Sequence, residues 1–361
     1  MTRVRVLVVD DSPTSRRLLV EILRADAGIE VVGEAGDGLQ ALLMVKRLCP
    51  DIVTMDVQMP ILDGFAATKR IMVEAPTPIL IITGVDPRSL AVSLEAVRMG
   101  ALAVQAKPGD PMGQDFDDEA RDLVRQVKAM SRVKVVRHYE TERRIPLIPI
   151  VPRNAGDDVA AQVIAIAAST GGPAAIHQIL SGLPAWFPLP ILVVQHISRG
   201  FSPGFADWLD KASPLRVKLA AEGEALAAGT TYVAVDDRHL CVTPAGRIHL
   251  SPAEPVGGFR PSGTVLFESV AAAYGRSGVA MILTGMGRDG VDGLRAIRNA
   301  GGRTYVESER TAVVNGMPGA AVTAGLADFI LPLDQMGNAM VGLVPVPAAA
   351  AAAAADERTA R

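Results

Sequence analysis

Short apolar runs alternate with longer stretches in which apolar residues recur every three to four positions, and this alternation holds through the first 130 residues. The runs are VRVLVVD (4–10), IEVVGEA (29–35), DIVTMD (51–56), PILIITG (78–84) and LAVQAKP (102–108). Strands this uniformly apolar, separated by helices, predict a parallel sheet covered on both faces. Five such units make a doubly wound, flavodoxin-like α/β domain, whose ligand site lies outside the carboxyl ends of the strands. The chemically loaded residues fall there: Asp10 and Asp11 after the first run, Asp56 ending the third, Thr83 ending the fourth and Lys107 after the fifth.

Between residues 131 and 158 the periodicity fails. Charged clusters and prolines replace it, and each proline biases its predecessor away from helix, so a partly extended linker is expected. From 159 to 344 the alternation returns, with apolar strands at 163–168, 191–196, 279–284 and, more weakly, 304–307. TYVAVDDRHLCVTPAGRIHLSP (231–252) has shorter alternating strands about a turn at Ala245-Gly246, which predicts an antiparallel insertion in an otherwise mostly parallel sheet. The alanine-rich end, 345–361, is low complexity. The expected organisation is therefore a doubly wound α/β domain (1–130), a linker (131–158), a second α/β domain (159–344) and a tail (345–361).

Composition narrows the function classes. With 361 residues, 49% of them hydrophobic and 21% charged, the chain can bury two cores. A net charge of -3 gives no general attraction to nucleic acid or to an anionic membrane. No recognition-helix pattern or basic face follows the first domain, which counts against a DNA-binding regulator. Cys49 and Cys241 are far apart and lack metal-type spacing, so they read as reduced residues of a cytosolic protein. No apolar run reaches a membrane span, and the start MTRVRVLVVDDS has no cleavage signature; a cytoplasmic protein without membrane insertion is expected.

In the first domain, clustered carboxylates favour a hard divalent cation such as Mg²⁺. Asp56 can then attack a phosphoryl group, Lys107 can pair with the phosphate and the Thr83 hydroxyl can follow its oxygens, giving an aspartyl phosphate. The VDDS opening, DVQMPILDG around Asp56, Thr83 and Lys107-Pro108 together resemble a two-component receiver domain. That resemblance implies Asp56 as phospho-acceptor, a Mg²⁺ site of Asp10, Asp11, Asp56 and the Gln58 backbone carbonyl, and Thr83 and Lys107 as the switch pair. Val104 stands where receivers often carry an aromatic that swings on activation.

In the second domain, IAIAASTGGP (164–173) breaks from an apolar strand into a serine, a threonine and two glycines. A hydroxyl at such a sharp strand-to-helix turn suits a nucleophile, because exposed backbone N–H groups can hold a developing negative charge. His196 in VVQHIS would be the general base, and Asp289 in LTGMGRDG the group that orients the imidazole. Each residue alone also fits a plainer role: Ser169 as a helix cap or phosphate cradle, His196 as a structural histidine, Asp289 as a turn residue. The glycine spacing fits neither a dinucleotide fingerprint nor a Walker loop.

The segments IAASTGGP, VVQHI, FRPSGTVLFESVA, ILTGMGRDG and VVNGMP, in this order, resemble the chemotaxis-type protein-glutamate methylesterases, the CheB family, in which a receiver precedes a serine esterase domain. The resemblance implies the triad Ser169, His196 and Asp289, oxyanion donors at the amides of Thr170 and Met286, and a substrate entrance near Arg260 and Ser262. It further implies a phosphorylation-regulated demethylation of glutamate methyl esters on chemoreceptor helices, with possible glutamine deamidation, and a CheA-type histidine kinase as phosphodonor. No cofactor is expected for the esterase. The alternative is a receiver protein whose esterase-like domain acts on another protein or is a phospho-gated binding module. Departures from the family pattern touch the groove: Ala167 replaces a glycine, Gly263-Thr264 replaces Val-Asp, Asn315 replaces an aromatic, and ISRGFSPGF follows His196. His177, His239 and His249 read as surface or core-edge residues and His138 as part of the linker, while Met55, Met59 and Met281 read as core filling.

Overall fold

A computed structural model of the chain describes residues 3–84, 103–113, 116–131, 159–197 and 199–344. The linker and tail, and His138 with them, lie outside the described residues apart from Ser131. The N-terminal sheet contains β1 (Val4–Val9), β2 (Ile29–Ala35), β3 (Ile52–Met55), β4 (Ile79–Thr83) and β5 (Ala103–Ala106). Its order is β2-β1-β3-β4-β5, and every pairing is parallel. Around it lie α1 (Pro13–Arg24), α2 (Gly38–Leu48), α3 (Gly64–Glu74) and α4 (Phe116–Met130). Successive side chains of a strand face opposite ways. Leu7 and Val9 accordingly join one buried cluster, and Val6 and Val8 the other. Local capping sets the helix starts: Asp37 accepts from the N–H groups of Leu39 and Gln40, and Asp63 from those of Phe65 and Ala66.

The second sheet has seven strands: β6 (Val163–Ala168), β7 (Ile191–Gln195), β8 (Arg216–Leu219), β9 (Thr230–Val233), β12 (Gly278–Ile282), β13 (Arg303–Glu307) and β14 (Phe329–Leu331). Their order is β14-β13-β12-β6-β7-β9-β8, again with parallel pairings throughout. A separate antiparallel hairpin is formed by β10 (His239–Val242) and β11 (Ile248–Ser251). The antiparallel insertion is therefore real but shorter than the pattern suggested, because Thr231 to Val233 belong to β9 of the parallel sheet. The helices are α5 (Gly172–Ser181), α6 (Ser202–Ala212), α7 (Gly263–Tyr274), α8 (Val291–Asn299), α9 (Met317–Thr323) and α10 (Leu333–Val341).

The strand β6 is buried along its whole length, with Ile164, Ile166 and Ala168 in one core and Val163, Ala165 and Ala167 in the other. Chain order runs from β6 outward to β7 on one side, while β12 flanks it on the other. The strand order thus reverses beside β6, which is where a doubly wound sheet opens its crevice.

Candidate functional sites

At the carboxyl edge of the first sheet, ligand atoms of Asp10, Asp11 and Asp56 lie within 4.8 Å of one another. Lys107 Nζ bridges two of them, 2.7 Å from Asp10 Oδ2 and 2.8 Å from Asp56 Oδ2. Thr83 Oγ1 is buried and lacks a hydrogen-bond partner among the described residues. Burial pushes the Asp10 carboxyl above its ordinary value, outweighing the opposite pull of the Lys107 ammonium. Burial likewise works to lower Lys107, but its bonds to Asp10 and Asp56 prevail and hold the ammonium above its ordinary value. Three carboxylates in one place carry more negative charge than one ammonium neutralises, so this donor set fits a hard divalent cation.

At the carboxyl edge of the second sheet, Ser169 leaves β6 and His196 leaves β7. Backbone bonds fix both: Ser169 N–H donates to Thr284 O at 3.0 Å, and His196 N–H to Ala168 O at 2.9 Å. The Gln195 amide ties them together, its Nε2 donating to Ser169 O and to His196 O, each at 2.8 Å. Asp289 lies in the turn before α8, with Oδ2 2.8 Å from His196 Nε2. It also accepts from Ser262 Oγ at 2.7 Å, Gly263 N–H at 2.6 Å and Thr264 N–H at 3.1 Å. Burial alone would raise Asp289, yet the bonds from His196, Ser262 and Gly263 win and hold it down at about 2. A fully ionised carboxylate against Nε2 leaves the other ring nitrogen for a nucleophile. That nitrogen, Nδ1, is buried and has no hydrogen-bond partner among the described residues. Among the described residues no hydrogen bond yet joins it to Ser169 Oγ.

Ser169, Thr170, His196, Met286 and Asp289 line one cleft of about 770 Å³. Its wall includes Phe259, whose ring stacks on the His196 imidazole with centroids 3.9 Å apart and planes 2° from parallel. A tight turn presents Phe259: Val256 and Phe259 exchange both backbone hydrogen bonds, and Gly257 and Gly258 between them have φ of 61° and 86°. Only glycine takes both conformations without strain. The aromatic face covers one side of the imidazole and shields it from water. The receiver side contributes Val104, Asp122, Arg125 and Gln126 to the same cleft, opposite Met286 and Arg288.

Arg260 also lines the cleft, but Ser262 is fully buried beneath Asp289 and is not at an entrance. His249 is exposed and meets Glu222, and His177 stacks on Trp208. His239 differs from the surface or core-edge reading, being fully buried behind Ser262. Gln195 and Phe259 were not singled out by the sequence, and His239 only as a surface or core-edge residue. Only their contacts in the fold give them a part, since Gln195 reads simply as the end of an apolar strand.

Comparison with known proteins follows the same division. Residues 6–112 match the response regulator receiver domain family and residues 164–340 the CheB methylesterase family. A Myxococcus xanthus protein named protein-glutamate methylesterase/protein-glutamine glutaminase 4 is 50% identical over 335 residues, covering 92% of this chain and 95% of that protein. A protein of Anaeromyxobacter dehalogenans named protein-glutamate methylesterase/protein-glutamine glutaminase 3 is 52% identical over 336 residues, covering 93% and 97%. The crystal structure of the Thermotoga maritima CheB methylesterase catalytic domain matches with a TM-score of 0.50 at 35% identity, covering 52% of this chain and all of that one.

Proposed function

Because the chain belongs to the CheB methylesterase family and carries a response regulator receiver domain, we propose that it hydrolyses glutamate methyl esters on chemoreceptor helices under control of phosphorylation. The single observation that carries the catalytic half is the ordered succession of Ser262, Asp289 and His196, which leaves one imidazole nitrogen free beside the Ser169 turn. In this reading His196 Nδ1 takes the Ser169 proton as Oγ attacks the ester carbonyl. Asp289 holds the ring in the required tautomer and stabilises the imidazolium. Backbone amides at Thr170 and Met286 receive the oxyanion. The protonated His196 passes its proton to the departing methanol, and water then hydrolyses the glutamyl-enzyme by the same route. Glutamine side chains would follow the same path with ammonia leaving, and the relatives named above carry both activities in their names.

In the receiver half, Asp56 is the proposed phospho-acceptor and a chemotaxis-type histidine kinase the donor. Mg²⁺ held by Asp10, Asp11 and Asp56, with the Gln58 carbonyl, would neutralise charge on the phosphoryl group during transfer. Lys107, now bridging Asp10 and Asp56, would pair with the phosphate, and the unpartnered Thr83 hydroxyl would donate to it. Among the described residues no helix is long and apolar enough to cross a membrane.

The test is methanol release from methylated chemoreceptor membranes. Ser169→Ala is expected to reduce it to background. Asp56→Asn is expected to keep the basal rate and lose stimulation by a phosphodonor. Wild-type release by Ser169→Ala would overturn the catalytic reading, and a normal phospho-response by Asp56→Asn would overturn the regulatory one.

A further inference from the structure

His239 lies on β10, outside the cleft, and no part of its side chain is exposed. Its Nδ1 accepts from the Ser262 backbone N–H at 3.2 Å, and its Nε2 faces Glu254 O at 3.0 Å. A backbone N–H can only donate, so Nδ1 must be unprotonated, and a carbonyl can only accept, so Nε2 must carry the proton. Both contacts together define one neutral tautomer. On its other side Ser262 donates Oγ to Asp289 Oδ1 at 2.7 Å, and Asp289 Oδ2 meets His196 Nε2 at 2.8 Å. Glu254 O, His239, Ser262, Asp289 and His196 therefore form one continuous chain of hydrogen bonds from the hairpin to the reacting imidazole.

We infer that His239 is a positioning residue for the hydrolytic site: its Nδ1 anchors the Ser262 backbone, and Ser262 in turn sets the Asp289 carboxylate that orients His196. The inference rests on the hydrolase reading above. It adds that the β10-β11 hairpin, which supplies no residue to the triad, controls the triad's alignment. The lever is the acceptor at Nδ1. Loss of that acceptor leaves the Ser262 N–H unpaired in a buried place, and relieving it requires the segment to shift. Such a shift moves Ser262 Oγ and the neighbouring Gly263 and Thr264 N–H groups, all of which hold Asp289. Misplacement of about an ångström away from the reacting atoms can cost on the order of 10²-fold in rate.

Two substitutions separate this role from simple core filling. His239→Asn puts an amide oxygen where Nδ1 stands, keeping the acceptor for Ser262 and losing reach to Glu254. His239→Gln puts an amide nitrogen where Nε2 stands, keeping the bond to Glu254 and losing the acceptor. The full-length protein is treated with a fluorophosphonate, which labels an activated serine whatever the natural substrate, with Ser169→Ala as the blank. The Asn variant is expected to label at the wild-type rate and the Gln variant roughly tenfold more slowly or worse. In parallel, the low-field proton resonance of the His196–Asp289 hydrogen bond is expected in wild type and the Asn variant and lost in the Gln variant. Labelling of the Gln variant at the wild-type rate, or equal slowing of both variants, would overturn the inference. A wild-type protein no more labelled than Ser169→Ala would instead overturn the hydrolase reading, and the ring-proton resonance would then decide the role of His239 by itself. If either variant fails to fold, Ser262→Ala must reproduce the slow labelling, and wild-type labelling by it overturns the inference.

Discussion

Two departures from the family pattern, Ala167 and Gly263, turn out to be one. A Cβ placed on Gly263 would lie 2.6 Å from the Ala167 Cβ, closer than real side chains come, so the methyl at 167 occupies the room that a side chain at 263 would need. The position is sensitive because the Gly263 N–H is a direct donor to Asp289 Oδ2. Thr264, the neighbouring departure, accepts from Gly290 N–H at 2.8 Å through its hydroxyl and so ties the start of α7 to the turn that carries Asp289. The altered residues therefore rebuild the support of the site and leave its reacting groups in place. Gly263→Val alone is expected to overpack this contact, costing about 1–3 kcal/mol in stability and slowing fluorophosphonate labelling of Ser169. Adding Ala167→Gly should restore both. Thermal unfolding and labelling of the two single variants and the double variant measure the coupling, and a double variant as impaired as the sum of the singles would refute the pairing.

At the scale of elements, the turn that carries Ser169 is held by the ends of three strands. Thr284, just after β12, receives the Ser169 N–H on its carbonyl, donates Oγ1 to Thr170 O at 2.8 Å and accepts from Val314 N–H at 2.9 Å. Its own N–H donates to Glu307 Oε2 at 2.8 Å, at the end of β13. Burial pushes the Glu307 carboxyl up to about 7, against its bonds from Thr284 and Thr311. An acid raised in the folded state favours folding while protonated. That contribution is present below the ordinary carboxylate range, falls as pH rises towards about 7 and is gone above it. Glu307→Gln keeps an oxygen for the Thr284 N–H and cannot ionise. It is expected to raise the melting temperature at pH 8 with little effect at pH 5, and unchanged stability at pH 8 would refute this account of Glu307. None of these ties is visible in the sequence, where Glu307 is one more acid in ESER. The strand β6 could be read because each of its six residues is apolar and buried. By contrast β8 and β14 are edge strands with exposed positions: β8 reads RVKL, broken by two charges, and β14 is only the three residues FIL, too short to stand out. Of the proposed triad, Ser169 and His196 could be read because they stand where apolar runs end, whereas Asp289 lies in the turn before α8 and rests chiefly on the family resemblance. His239 could not, because its role depends on a hairpin docking behind Ser262.

At the scale of the whole molecule, the receiver and the esterase-type domain share the walls of one cleft. Asp122, Arg125 and Gln126 of α4 face a rim that includes Met286, Arg288 and Asp292, and Val104 of β5 packs against the esterase-side core around Phe201 and Ile197. Much of this boundary is charged or polar, as suits surfaces that separate and rejoin. The same short strand links the two sites: Lys107, three residues beyond Val104, bridges Asp10 and Asp56. A phosphoryl group on Asp56 would draw the Lys107 ammonium to itself, and that movement acts on the end of β5 whose Val104 touches the cleft. On this proposal phosphorylation would have a mechanical route to weaken the contacts across the cleft and shift the population towards an open arrangement. Replacing Arg125 and Gln126 together by alanine removes covering contacts and leaves every group of both reaction sites untouched. The unphosphorylated double variant is expected to label at Ser169 several-fold faster than wild type, whereas the phosphorylated forms of the two proteins should label alike. Each 1.4 kcal/mol of closure removed corresponds to about a tenfold larger open fraction while that fraction is small. Rates measured before and after treatment with a small phosphodonor give both numbers. An unphosphorylated variant no faster than wild type would show that α4 borders the cleft without closing it.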